Sequence, residues 1–264
     1  MSSDLVLKTE GLTKHYGGVH ALTDANFELR KGEHVAIMGD NGAGKSTFVR
    51  QLTGVEQPTR GKIILYGKDV SFKGPLEARE AGIETVFQSL ALADDLDVPS
   101  NVFLGREKYL IKLGPFSILD RKAMRADTVR ALERTAVKIP NLGNRIRNMS
   151  GGQRQCVAIA RAVHFGARVL ILDEPTSALG VHQAGMVLRI VAQARDQGIG
   201  IVFITHNIHH AFPIADTFTL LNRGRSLGCF AKGEVTEGRI LEMMSGGRDL
   251  DRIASEVGRR GAAS

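Results

Sequence analysis

A chain of 264 residues can bury one large core or two small ones, and its 43% hydrophobic and 24% charged residues have the balance of a soluble globular protein. No apolar run reaches the roughly 18–20 residues needed to span a bilayer, so a membrane role has to come through a partner. The net charge of +7 permits a polyanionic partner, but the basic residues are scattered and aromatics make up only 5%, which describes a solvated surface and excludes a nucleic-acid-binding stripe with interleaved aromatics.

The opening MSSDLVLKTEG lacks the basic-then-apolar layout of a signal peptide, which points to a cytoplasmic chain. Strands are expected over 5–10 and 25–29. His34–Met38 (HVAIM) is a short apolar run leading straight into glycines. Residues 62–66 and 83–87 read as further strands, the second ending at Gln88. A helix is expected over Lys45–Thr53, and another over Arg121–Val137 behind an Asp120 N-cap. A third covers Gly151–His164 behind Ser150. The purely apolar VLIL at 169–172 and GIVFIT at 200–205 suit strands buried on both faces of a parallel sheet. Between them Gln183–Gln197 carries Val187, Ile190, Val191 and Ala194 at helical spacing, closed by Gly198. Residues 217–228 read as a hairpin turning at Asn222-Arg223-Gly224.

Strands alternating with helices define an α/β doubly wound sheet. Residues 89–165 show little strand signal and are expected to form an inserted α-helical subdomain. The resulting division is 1–88, a core with an antiparallel β part; 89–165, helical; 166–246, the remainder of the core; and 247–264, a partly ordered tail. Cys156 and Cys229 lie far apart in sequence and are expected as two reduced thiols, one on a helix and one on a strand.

The glycines open a phosphate site. Gly39-x-x-x-x-Gly44-Lys45-Ser46, within GDNGAGKST at 39–47, fits the P-loop pattern between a strand and a helix. Gly39, Asn41, Gly42, Ala43 and Gly44 would wrap backbone N–H groups around phosphate oxygens. Lys45 would supply a point charge for the β- and γ-phosphates, Ser46 a hydroxyl for Mg²⁺, and Thr47 continues the motif. The helix start adds its positive end. Downstream, Asp173 ends a buried strand and would project into the ligand crevice, where a carboxylate can hold Mg²⁺. Glu174, next to it, can take the proton of an attacking water.

Two further features admit two readings each. Ser150-x-x-Gln153 is a capping box at a helix N-terminus, yet Gly151-Gly152 in a first helical turn is costly unless the backbone must approach a phosphate. His206 and His210, four apart with His209 beside them, could begin a metal site, although no third ligand follows at a usual spacing.

With these parts in place the chain resembles the ATP-binding subunit of ABC transporters over about residues 5–245. GDNGAGKST looks like that family's Walker A motif, VLILDE its Walker B, and MSGGQ at 149–153 its LSGGQ signature, with Met149 for Leu. The resemblance implies a P-loop NTPase sheet core with an N-terminal antiparallel β subdomain and an inserted helical subdomain. It implies that Gln88 is the Q-loop glutamine, touching Mg²⁺ or water and relaying to a membrane subunit. It likewise makes His206 the histidine that contacts γ-phosphate and attacking water, and Tyr16 the aromatic stacked on adenine. Ser150, Gly151, Gly152 and Gln153 would reach ATP held by an opposing copy, so one chain cannot complete a site alone. One position departs: the family usually shows Ser-Ala-Leu-Asp, whereas this chain has Ser177-Ala178-Leu179-Gly180 and lacks the aspartate that helps join the two sites.

The resemblance also implies the partners. These are a second copy as an ATP-dependent homodimer, transmembrane permease subunits and, indirectly, a periplasmic solute-binding protein. The chain would lie peripherally on the cytoplasmic face of the inner membrane, with ATP and Mg²⁺ and no nucleic acid. YGGVHAL, NVFLGRE and TSALGVHQA are similar to monosaccharide importers of the ribose or fructose type. A branched-chain amino acid importer is the alternative cargo reading, and a non-transport ABC ATPase acting on nucleic acid the alternative class.

Overall fold

The computed structural model describes residues 4–135 and 137–245; the expected tail, 247–264, lies outside the described residues. Two long antiparallel strands, β1 (Leu5–Tyr16) and β2 (Val19–Arg30), open the chain. They extend well beyond the apolar runs at 5–10 and 25–29 because the two-residue Gly17-Gly18 connection closes a hairpin that pairs His15 with His20 and Tyr16 with Val19. After β3 (His34–Met38) come α1 (Lys45–Leu52), β4 (Arg60–Leu65), β5 (Lys68–Val70), α2 (Pro75–Glu80) and β6 (Ile83–Val86). The middle holds α3 (Val98–Val102), α4 (Arg121–Arg134) and α5 (Gly151–His164). Asp120 caps α4, accepting from the Ala123 N–H at 2.9 Å.

This middle segment is not purely helical. Residues 109–119 form a small hairpin, β7 (Tyr109–Ile111) with β8 (Ile118–Leu119), separate from the main sheet. Its strands are too short for alternation to register in the sequence. The chain then runs through β9 (Val169–Asp173), α6 (Val181–Asp196), β10 (Gly200–Thr205), α7 (Ile208–Ala211), β11 (Thr217–Asn222), β12 (Arg225–Ala231) and α8 (Glu237–Met244). The β11–β12 hairpin turns at Arg223-Gly224, both with positive φ, as the Asn-Arg-Gly sequence predicts.

The main sheet has ten strands in the order β5-β4-β1-β2-β12-β11-β3-β10-β9-β6. Strands β11, β3, β10, β9 and β6 run parallel; β1, β2, β4 and β5 form the antiparallel part. The parallel strands are continuously apolar because alternate side chains enter two different cores. Leu170, Leu172, Ile201 and Phe203 face one core, built with α5 and α6. Val169, Ile171, Val202 and Ile204 face the other, which holds α1 and the antiparallel strands. Cys156 lies buried on α5, its thiol pushed up to about 12 by burial, and Cys229 is on β12; both are free thiols.

The register sets the site. Ile204 pairs with Asp173, Thr205 with Met38 and Val86 with Leu172, so β6, β9, β10 and β3 end at one level. Gln88, Asp173-Glu174, His206 and Gly39 therefore leave the sheet along one carboxyl edge, the usual ligand side of an open parallel sheet.

Candidate nucleotide site

The loop from Gly39 to Gly44 joins β3 to α1 and is shaped by close backbone packing. A Cβ on Gly39 would stand 2.3 Å from the Leu221 carbonyl oxygen, and one on Gly44 would stand 2.7 Å from that of Ala21. Gly44 is also the N-cap of α1, with φ at 101°, a conformation that glycine takes at no steric cost. The N-terminus of α1 is thus aimed into the cleft with no acidic residue in its first turn, which suits an anion.

Lys45 is buried, and its ammonium reaches back to the Gly39 carbonyl at 2.6 Å and that of Asp40 at 3.1 Å. Burial holds its pKa below the usual lysine value, against the pull of Glu174, Asp173 and Asp40. Asp173 is displaced the opposite way: burial, then the charge of Glu174, raises its pKa, and Lys45 and Arg50 only partly offset that. Both groups are less comfortable charged here than in water. A polyanion with a divalent cation would relieve both, the anion opposite Lys45 and the cation opposite Asp173.

Glu174 sits at φ 49°, in the left-handed region that non-glycine residues avoid, and its N–H donates to the Ile204 carbonyl at 2.9 Å. The carboxylate is gripped from several sides. Oε1 accepts from the His206 N–H at 3.2 Å and lies 2.8 Å from His206 Nδ1. Oε2 accepts from the Thr205 hydroxyl at 3.2 Å. Lys45 Nζ stands 3.9 Å from Oε1. Thr205 is itself buried and fixed, since its Oγ1 accepts the Asn207 N–H at 3.1 Å. A carboxylate so aimed can orient and deprotonate a water.

A cleft of about 610 Å³ is lined by Asn41 to Thr47 with Gln88, Asp173, Glu174 and His206. Ser46, Gln88 and Asp173 also share an adjoining recess. Their hydroxyl, amide and carboxylate oxygens are the hard donors that Mg²⁺ prefers, so the residues present fit that ion. The neighbouring histidines diverge from His206: His209 pairs with Glu237 at 3.2 Å, and His210 Nδ1 lies 2.9 Å from the Thr176 hydroxyl. Among the described residues no cluster of three or more His, Cys, Asp or Glu could hold a metal.

Two groups of sequence-predicted residues stand apart from the cleft wall. Tyr16 is exposed at the end of β1, its hydroxyl bonded to Glu56, with the Lys14 ammonium 5.3 Å from its ring centre. Ser150 to Gln153 lie outside the cleft of their own chain. There they form the predicted capping box: Gln153 N–H donates to Ser150 Oγ at 3.3 Å and Ser150 N–H to Gln153 Oε1 at 3.0 Å. The glycines between them have an intrachain reason the sequence did not disclose. A Cβ on Gly151 would meet Leu179 at 2.9 Å, and one on Gly152 would meet Gln183, also at 2.9 Å. Gly151 and Gly152 let α6 lie against the start of α5. Gly180 caps α6 with no side-chain bond, at φ −67° and with open space where a Cβ would point.

Sequence reasoning missed Thr205 and the far wall, where Val19, His20, Ala21, Arg223 and Gly224 line the cleft. Thr205 could have been suspected as a hydroxyl ending a buried strand just before His206. The far wall depends on pairing between distant strands.

This fold and this edge define a P-loop ATPase cassette, and the chain belongs to the ABC transporter family, whose model matches residues 22–177. Among its relatives, the "Fructose import ATP-binding protein FrcA" of Rhizobium meliloti is 42% identical over 96% of this chain and 99% of its own length. The "Xylose/arabinose import ATP-binding protein XylG" of Sulfolobus acidocaldarius is 40% identical over 92% of this chain and 94% of its own length. The solved structure of cbiO1 from Clostridium perfringens, part of the ABC transporter complex cbiONQ, superposes with a TM-score of 0.76 at 30% identity, over 97% of this chain and 99% of that one.

Proposed function

We propose that the chain is the ATP-hydrolysing subunit of a monosaccharide importer. It would act as two copies on the cytoplasmic face of the inner membrane, with separate permease subunits and a periplasmic binding protein. The observation that carries the reading is the grip on Glu174: one carboxylate, beside the P-loop lysine, held by Thr205, His206 and the strained backbone of its own residue. The sugar-import names of relatives matched along nearly their full length support the cargo class.

ATP is the substrate. The 39–44 backbone and the α1 N-terminus receive its phosphates, and Lys45 turns from the loop carbonyls to the β- and γ-oxygens. Tyr16 offers a ring to adenine at the rim. Ser46, Gln88 and Asp173 would hold Mg²⁺, which supplies charge neutralisation on the phosphates when bound. Glu174 accepts the proton of the attacking water, while Thr205 and His206 keep its two oxygens apart and aimed. His206 faces the leaving phosphate. The second copy contributes Ser150 to Gln153, so closure of the pair completes both sites. ATP drives closure because it gains contacts with both copies only there.

Glu174→Gln tests the reading. The variant keeps the side chain's size but cannot take a proton. It is expected to bind ATP, to accumulate as a dimer in size-exclusion chromatography with MgATP, and to lose about 10²–10⁴-fold in turnover. Normal turnover in that variant would remove Glu174 from the proposed role.

A further inference from the structure

The β7–β8 hairpin presents more apolar surface to solvent than any packing in the chain explains. Leu110 is 67% exposed, Leu113 64% and Phe116 82%; Tyr109, Ile111 and Ile118 are exposed as well. The hairpin is nevertheless built to hold its tip in shape. Ser117 Oγ accepts the Leu113 N–H at 3.0 Å and donates to the Gly114 carbonyl at 2.7 Å, and the Asp120 N–H donates to Lys108 O at 2.8 Å across the base. Its two strands pair with each other and, among the described residues, with no other strand.

Which occupant this surface suits follows from strand geometry. Tyr109 pairs with Leu119 and Ile111 with Ile118 across a register shift, and Ile118 and Leu119, adjacent along β8, point to opposite faces; Tyr109, Leu110 and Ile111 are all exposed. The hairpin is apolar on both faces. A fluid apolar medium covers both faces at once. The exposed charges beside it are cationic: Lys112 lies 5.7 Å from the Tyr109 ring centre, and Arg121, Lys122 and Arg125 on α4 are exposed, whereas Glu107 and Asp120 at its base are half-buried. Those three α4 residues pair with no carboxylate among the described residues. Apolar and aromatic side chains at a tip with basic groups behind it are the arrangement that enters a bilayer interface and meets anionic headgroups.

We infer that the 109–119 hairpin is a membrane-surface contact, inserting Leu110, Leu113 and Phe116 at the headgroup boundary of an anionic bilayer, with Lys112, Arg121 and Lys122 against lipid phosphates. This goes beyond the proposed ATPase function and departs from the expectation that a membrane role comes only through a partner; it is tested without nucleotide or permease, so either can fail alone. The test is co-sedimentation of the full chain with vesicles of phosphatidylcholine and phosphatidylglycerol in equal parts, and with phosphatidylcholine alone. The chain should bind the mixed vesicles preferentially. Leu110→Ser with Phe116→Ser should lower partitioning about tenfold or more. Arg121→Glu with Lys122→Glu should lower it at least about fivefold per charge on mixed vesicles only. Unchanged melting temperature and ATP affinity would show that the variants fold, since these side chains are remote from the P-loop. The proposal is overturned if the parent chain ignores mixed vesicles, or if either double variant binds them as the parent does. It is equally overturned if the serine variant keeps vesicle binding but no longer co-purifies with membrane subunits, which would assign the hairpin to a protein partner.

Discussion

One methyl group added at Gly39 probes the architecture of the P-loop directly. The Cβ of Gly39→Ala would stand 2.3 Å from the Leu221 carbonyl oxygen and 2.8 Å from Ala43 Cβ, where a real Cβ essentially never comes closer than 3.0 Å. Gly39 is not among the positive-φ glycines, so the cost is packing and not backbone strain. The carbonyl cannot retreat easily: Leu221 is buried in β11, and its neighbour Leu220 pairs with Met38 beside the loop. The displacement of about 0.7 Å therefore falls on the P-loop, at an overpacking cost of about 1–3 kcal/mol. For a chain of this size that lowers Tm by roughly 2–4 °C per kcal/mol, and a shift approaching 1 Å in a phosphate cradle costs up to about 100-fold in kcat. Thermal melting with and without MgATP, together with steady-state ATPase rates, measures both. Gly180→Ser is the contrast: with φ at −67° and open space at the Cβ, it should melt no lower than the parent, because serine at an N-cap gains a few tenths of a kcal/mol over glycine. If Gly39→Ala melted and turned over like the parent, the Leu221 carbonyl would not be the fixed wall described.

The remaining predictions concern the carboxylates. Thr205→Val removes the hydroxyl that donates to Glu174 Oε2 and accepts from Asn207. Turnover should fall about tenfold, corresponding to one hydrogen bond to a charged group, with KM for ATP little changed, and Thr205→Ser should restore it. A rise in KM with normal kcat would place Thr205 in substrate binding instead. Asp173→Asn addresses linkage. Burial, then the charge of Glu174, raises the folded pKa of Asp173 above 3.8, so the folded state holds this proton more tightly than the unfolded chain. Its contribution is favourable at acid pH and is lost as pH rises from about 3.8 through the raised value, leaving a net cost at neutrality. The variant should therefore melt higher than the parent at pH 7 without nucleotide, with the gain shrinking toward acid pH, and lose the Mg²⁺ dependence of nucleotide binding. A lower melting temperature at pH 7 would refute the sign.

What the sequence disclosed and what it hid divide along physical lines. The runs HVAIM, VLIL and GIVFIT identified themselves because a strand covered on both faces needs no alternation, and the groups following them, Gly39, Asp173 and His206, meet at one edge because those strands are parallel and in register. The lengths of β1 and β2 were hidden, since bulges interrupt their alternation and pairing, not composition, carries them to Tyr16 and from Val19. The β7–β8 hairpin left no signal because its residues are apolar without a period. The tightness around Gly151 and Gly152 was hidden because Leu179 and Gln183 arrive from a separate element.

That last contact bears on how the two sites of the proposed pair are connected. Leu179 and Gln183 border the loop that leaves Glu174, and they rest on the two glycines that one copy would offer to its partner's ATP. A shift of that loop would meet the start of α5 through these two side chains. The two sites would then be connected through a pair of side chains.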